Sequence, residues 1–167
     1  MATRSTIALE FADGTVEQVY CHWDGYLSNN GQILLQHYKD PFKVRDLIDG
    51  GAVSSLGRNL GNGHPFSKFE IDSQDPDFDK LIELTKQAEA EGWTTFYARD
   101  RGEDLVKHKF KDYADYKANA QFEEYNYILR NVDGKATWFV EFYGEFDGLL
   151  EQAIMDEQDR KAQEETA

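Results

Sequence analysis

Cysteine is nearly absent from this chain of 167 residues: Cys21 stands alone. It can form no internal disulfide and cannot supply a zinc site built on several thiolates, a pattern that fits a reducing cytoplasm. Proline is scarce, with three residues in all, and no apolar run approaches the roughly 20 residues that cross a bilayer. The opening MATRSTIALEF has no secretory apolar core, so the expectation is a soluble, untargeted protein. Basic residues are also few, 18 Lys and Arg against 32 Asp and Glu, leaving a net charge of -14. A surface of that sign repels phosphate backbones and anionic lipid, which argues against direct nucleic-acid binding and against membrane attachment through basic residues. Partners should be basic, or local positive pockets must lie within the acidic field.

Hydrophobic residues nevertheless make up 40% of the chain and aromatics 14%, so it has the material for a core and the length of one ordinary domain. Ser5 to Phe11 alternates Ile7, Leu9 and Phe11 with polar neighbours, Ala12 to Thr15 supplies a turn, and Val16 to Trp23 follows, which predicts a β-hairpin. Period two then puts Val19, Cys21 and Trp23 on one face and Tyr20, His22 and Asp24 on the other. A helix is expected over Gln32 to Lys39, and a second is capped by Asp40-Pro41 and stopped by Gly50-Gly51. Ala52 to Pro65, with three glycines, reads as a connecting or ligand-embracing loop. Phe66 to Ile71 reads as a short strand, Asp75-Pro76 opens a helix reaching Gly92, and Thr94 to Asp100 reads as a strand.

Arg101 to Lys111 reads as a charged loop and Asp112 to Ala120 as a short helix. Glu124 to Val132 and Ala136 to Tyr143 form a second hairpin about Asp133-Gly134. From Phe146, the spacing of Leu149, Leu150, Ala153 and Ile154 predicts a terminal amphipathic helix whose apolar stripe ends at Met155. The expected class is α+β: a largely antiparallel sheet of two hairpins and one or two further strands, covered by helices. A single domain over 1–145 is followed by an acidic C-terminal helix or tail over 146–167.

Four constellations are candidates for function. Tyr20, His22, Asp24 and Tyr26 bring a phenol, an imidazole, a carboxylate and a second phenol close together, suited to holding a polar ligand or, with His22 and Asp24, to acid–base work. A sheet-edge histidine bonded to backbone, with Cys21 and Trp23 in the core, accounts for the same residues. Arg99 and Arg101 stand out in an acidic chain as forks for phosphate or carboxylate, against the alternative of internal pairing with Asp100, Glu103 or Asp104. Gly57 to Gly63 superficially resembles a phosphate loop without its Lys-Ser/Thr ending. The four histidines lack metal-ligand spacing, so no metal and no cofactor are expected. Between residues 141 and 167 lie nine acidic residues and two basic ones, half the excess charge; Glu151, Asp156, Glu157 and Asp159 are the candidate partner-binding residues, against the alternative of a solvated terminal face.

Arg4 to Ile7, Tyr20-Cys21-His22-Trp23-Asp24-Gly25-Tyr26, His37-Tyr38, Ser54 to Gly57, Phe96 to Glu103 and Glu124 to Tyr127 together resemble a family of small, mostly uncharacterised proteins of tailed bacteriophages and prophages. The resemblance covers roughly residues 3 to 143, and its Cys-His-Trp-Asp-Gly-Tyr string is its most specific part. It implies a setting, the cytoplasm of a bacterial host, where small phage proteins often act in host takeover or counter-defence, and it implies no catalytic mechanism. Three readings follow. The chain binds and inhibits a basic host protein through an acidic, DNA-like surface; it sequesters a nucleotide signal at Tyr20, His22, Asp24 and Tyr26 with an arginine on the phosphate; or His22 and Asp24 serve a hydrolase or transferase, the reading with the fewest supporting residues. Exposed sheet edges leave a homodimer open.

Overall fold

A computed structural model describes residues 2–166. Its strands are β1 (Ser5–Glu10), β2 (Val16–Cys21), β3 (Val53–Ser55), β4 (Thr95–Phe96), β5 (His108–Phe110), β6 (Tyr125–Val132), β7 (Lys135–Phe142) and β8 (Phe146–Leu149). Its α-helices are α1 (Gln32–His37), α2 (Pro41–Asp49), α3 (Phe78–Glu91), α4 (Tyr97–Arg101), α5 (Tyr113–Asn119) and α6 (Leu150–Thr166). A π-helical turn, Leu27–Gly31, leads into α1.

Both expected hairpins form, because each turn supplies the backbone that a tight reversal needs. At the second, Asp133 and Gly134 take φ of 54° and 82°, the paired left-handed conformation of a primed turn, and Asn131 accepts the Gly134 N–H. The hairpins join through β1 and β6, which pair in parallel with Ile7 opposite Tyr127 and Leu9 opposite Leu129. One mixed, mostly antiparallel sheet results, in the order β4-β3-β2-β1-β6-β7-β8. The outer edge of β2 is shared: β5 pairs with Val16 to Gln18, and β3 takes over at Cys21. The α+β class expected from the sequence is therefore the class observed.

Period two sorts the two faces. Ile7, Val19, Cys21, Tyr127, Leu129, Trp138 and Val140 meet Leu34, Tyr38, Leu47, Ile48, Leu150 and Ile154 in the main core beneath α1, α2 and α6. At about 1.5–3 kcal/mol for each fully buried aliphatic side chain, this layer carries most of the hydrophobic stabilisation. The opposite face is smaller, with Ala8, Val16 and Ile128 under Tyr116 of α5. Asp40 caps α2 by accepting the Phe42 N–H, with Pro41 as its first residue, and Gly92 closes α3 at φ 63°.

Five local expectations are corrected. Phe66 to Ile71 is no strand: it holds a short 3-10 turn at Lys68–Glu70 and leaves Phe69 exposed. The strand expected over Thr94 to Asp100 stops at Phe96, where the Asp100 carboxylate accepts the Phe96 N–H at 2.7 Å and starts α4. The loop from Ala52 to Pro65 contributes β3, and β5 arises inside the charged loop before α5. Phe146 to Leu149 is a strand, and the terminal helix begins at Leu150. There the β7–β8 turn sets Phe146 opposite Phe142, with the two rings stacked.

Candidate functional site

Tyr20 and His22 meet as alternation requires: the Tyr20 hydroxyl lies 2.6 Å from His22 Nδ1. Partial burial pushes the Tyr20 phenol above its ordinary range, so it keeps its proton and can donate to Nδ1 or accept from it. Asp24 does not join them. The strand ends at Cys21 and Asp24 turns into the left-handed region at φ 55°, its carbonyl accepting from the Asn30 N–H and the Asn29 side chain.

Trp23 leaves the core face on which alternation puts it, and is 44% exposed with its ring nearly perpendicular to that of His22 at 4.6 Å. Its interior place is taken by the buried Asn30, whose amide contacts Ser5 Oγ, Cys21 Sγ and Trp23 O. Gly25 is required sterically, since a Cβ there would lie 2.6 Å from Ser5 Cβ and 2.9 Å from Thr3 O. Cys21 packs in the core, and burial pushes its thiol up to about 11, which removes it as a nucleophile. What this segment shows to solvent is Trp23, Asp24 and Tyr26, with His22 half-buried against the Trp23 ring.

Comparison with known proteins finds no family model that matches the chain, and no similar curated protein or solved structure.

The two arginines go elsewhere. Arg99 binds the carbonyls of Leu60, Gly61 and Thr94 and grips Asp100 through Nε and Nη2, with its guanidinium over the Phe96 ring. Arg101 pairs with Glu70 at 2.7 Å and covers the Phe66 ring. No hydrogen bond or ring contact joins either arginine to Tyr20, His22, Asp24 or Tyr26. Of the internal pairs weighed from the sequence, Arg99 forms the one with Asp100, while Arg101 lies 3.8 Å from Glu103 and makes its shorter pair with Glu70, so the Arg99 fork is occupied.

Sequence reasoning missed the role of His64. It is buried beside Asp100, with Nδ1 2.8 Å from the Asn62 carbonyl and Nε2 3.2 Å from Thr95 Oγ1. A carbonyl only accepts, so Nδ1 bears a proton and donates to Asn62, while Nε2 is engaged with the Thr95 hydroxyl. The Asp100 side chain is fully buried and receives the N–H groups of Phe96 and His64 as well as Arg99. These groups floor a cleft of about 480 Å³ whose wall is Leu81 and Leu84 and whose rim includes Glu70, Asp72 and Asp75. His64, Arg99 and Asp100 are engaged with one another and with backbone, so the floor of the cleft offers no free base and no free cation. Among the described residues, no group of three or more His, Cys, Asp or Glu is arranged to hold a metal, and no helix is long and apolar enough to cross a membrane.

The acidic candidates sit on α6. Leu150, Ala153 and Ile154 anchor its first turns, and from Met155 to Thr166 every residue is exposed except the half-buried Glu157. At 1.5 Å per residue, positions 155–166 carry a free acidic rod about 18 Å long. Glu151, Asp156 and Asp159 are exposed along it, Asp156 accepts from Gln152, and Glu157 pairs with Lys161 at 3.2 Å.

Proposed function

We propose that this protein is a phage accessory factor that binds and inhibits a basic bacterial host protein, of nucleic-acid handling or anti-phage defence, in the host cytoplasm. The observation that carries the reading is the exposed, acidic outer half of α6 on a chain of net charge -14. A basic groove on a nucleic-acid-handling protein would be steered toward such a rod over nanometre distances. Past Met155 the rod holds five acidic and two basic residues, roughly one net charge per 6 Å. Duplex DNA carries about one per 1.7 Å, so the helix alone is a partial mimic and the neighbouring acidic surface must contribute.

The test is association with the host protein that copurifies from bacterial cells. Binding should fall steeply between low and moderate salt, and charge reversal to lysine at Glu151, Asp156, Glu157 and Asp159 should abolish it. Binding that ignores both salt and reversal sinks the reading.

A second reading, sequestration of a nucleotide signal, draws support from the exposed rings of Trp23, beside His22, and of Tyr26, which can stack a base. With Arg99 and Arg101 engaged internally, a phosphate would have to be held by other donors. His22→Ala should release a bound nucleotide that copurifies with the chain, and retention of the nucleotide by that variant ends this alternative.

A further inference from the structure

The sheet ends differently on its two sides. β4 has two residues and passes at once into α4, whereas β8 has four residues and no strand beyond it. Apart from its pairing with β7, the backbone of Phe146 to Leu149 makes no hydrogen bond to another loop or strand. An open edge of this kind is a template for an incoming strand.

The side chains at that edge select what can join. Asn126, Glu141 and Asp147 stand opposite one another across β6, β7 and β8, on the face away from the main core. Glu141 and Asp147 are thus like charges in direct cross-strand register, normally a destabilising arrangement. Asn126 donates to Glu141, and Lys117 reaches Asp147 at 2.7 Å. Glu145 adds a third carboxylate to the same pocket, a space of about 370 Å³ also lined by Lys117, Phe122 and Phe146. Three carboxylates against one ammonium leave room and charge for a second cation. On the same face, two residues along, Leu149 is 48% exposed and offers an apolar contact.

A second copy of the chain is a poor occupant. Antiparallel pairing of β8 with itself about Asp147 would set that carboxylate against its own counterpart, between molecules that each carry -14. We propose that β8 is a docking edge for an extended basic segment of the partner. That segment adds as the next strand, with a lysine or arginine opposite Asp147 entering the carboxylate pocket and an apolar residue, two positions away on the same face, covering Leu149. This rests on the reading of a basic partner and names where and how it is held.

The probe is a labelled ten-residue peptide, Lys-Thr-Val-Thr-Lys-Thr-Val-Thr-Lys-Thr, which places lysine and valine two positions apart on one face of a strand, titrated against the full chain. Saturable binding that slows amide exchange at Phe146 to Leu149 is expected. N-methylation of alternate peptide nitrogens, which keeps the charge and removes the strand donors, should weaken binding at least about tenfold. Asp147→Lys should do the same, with Leu149→Glu as a second variant at an exposed position should the first fail to fold. Ending the chain after Asp156 should leave the edge protection in place.

Equal binding of the methylated peptide without protection at 146–149 overturns the docking edge while leaving an acidic binding surface standing. Loss of binding on truncation of α6, with Asp147→Lys unaffected, places the contact on the helix and overturns the docking edge as well. Failure of the basic peptide to bind at all overturns the edge and the basic-partner reading together.

Discussion

Thr6 and Asn126 meet side chain to side chain across 120 residues of sequence, with Thr6 Oγ1 donating to Asn126 Oδ1 at 2.9 Å in a buried site. The same oxygen accepts the Glu123 N–H, and the amide nitrogen donates to the Glu123 carbonyl and to Glu141. All four hydrogen-bonding positions of this amide are filled. Pairing registers put Tyr20, Thr6, Asn126, Glu141 and Asp147 in one row across five strands, so a polar line runs from the His22 corner to the β8 edge.

Asn126→Leu should therefore be expensive, because it strands the Thr6 hydroxyl, two Glu123 backbone groups and the Glu141 carboxylate. The expected cost is about 3 kcal/mol in urea unfolding, against about 1 kcal/mol for Thr6→Val, which leaves Asn126 Oδ1 still bonded to Glu123. Equal costs for the two variants would show that the amide is not the hub of the row.

Asp100→Ala should cost about 3 kcal/mol, since it removes the acceptor of two backbone N–H groups and leaves Arg99 uncompensated in a side chain only 27% exposed. Arg101→Ala removes a pair whose members are both nearly half exposed, together with a ring contact to Phe66, and should cost under about 1 kcal/mol. Chemical denaturation of the two variants separates the structural arginine cluster from the surface one, and a reversed order would contradict the geometry.

Where local chemistry decided the structure, the sequence was readable. Asp133-Gly134 can hardly be anything but a primed turn, Asp40-Pro41 caps and opens a helix, and the alternation of Ile7, Leu9, Val19 and Cys21 identifies a buried face. Period two likewise brought Tyr20 to His22. It failed at Trp23 and Asp24, because Asn30, arriving from the next loop, fills the interior position that alternation reserved for the indole. The helical spacing from Phe146 was equally misleading: Leu150, Ala153 and Ile154 obey it, while Phe146 to Leu149 are claimed by β7 through a turn that fixes their register. His64 and Asp100 lie 36 residues apart, and neither carries a local sign of the other. The acidic end was visible as charge, yet the open strand at its root is a product of sheet topology.

Alkali should destabilise the fold. Burial pushes the Cys21 thiol from 9.0 up to about 11 and the Tyr38 phenol from 10.0 up to about 12. Each group holds its proton more tightly folded than unfolded, so its contribution is intact below the ordinary value and is lost as pH rises toward the raised one. A two-unit shift corresponds to about 3 kcal/mol per group as an upper bound. Urea midpoints should decline from about pH 9 to pH 12. Tyr38→Phe should flatten the upper part of that decline at a cost of about 1 kcal/mol at neutral pH, since the phenol donates to Gly57 O. A midpoint unchanged across this window would contradict the buried state of both groups.

The two halves of α6 should behave as different materials. Ile154 is 6% exposed within the main core, and Ile154→Ala should cost about 3 kcal/mol through lost burial and the cavity left behind. Beyond Asp156 the helix has no apolar stripe, and its internal support is the pair of Glu157 with Lys161, whose lysine is 58% exposed. A chain ending after Asp156 should keep its unfolding free energy within about 0.5 kcal/mol of the full protein while losing helical circular dichroism in proportion to the residues removed. If the truncation instead costs more than about 1.5 kcal/mol, the outer half is held by contacts to the domain, and a rod free to enter a partner's groove is the wrong description of it.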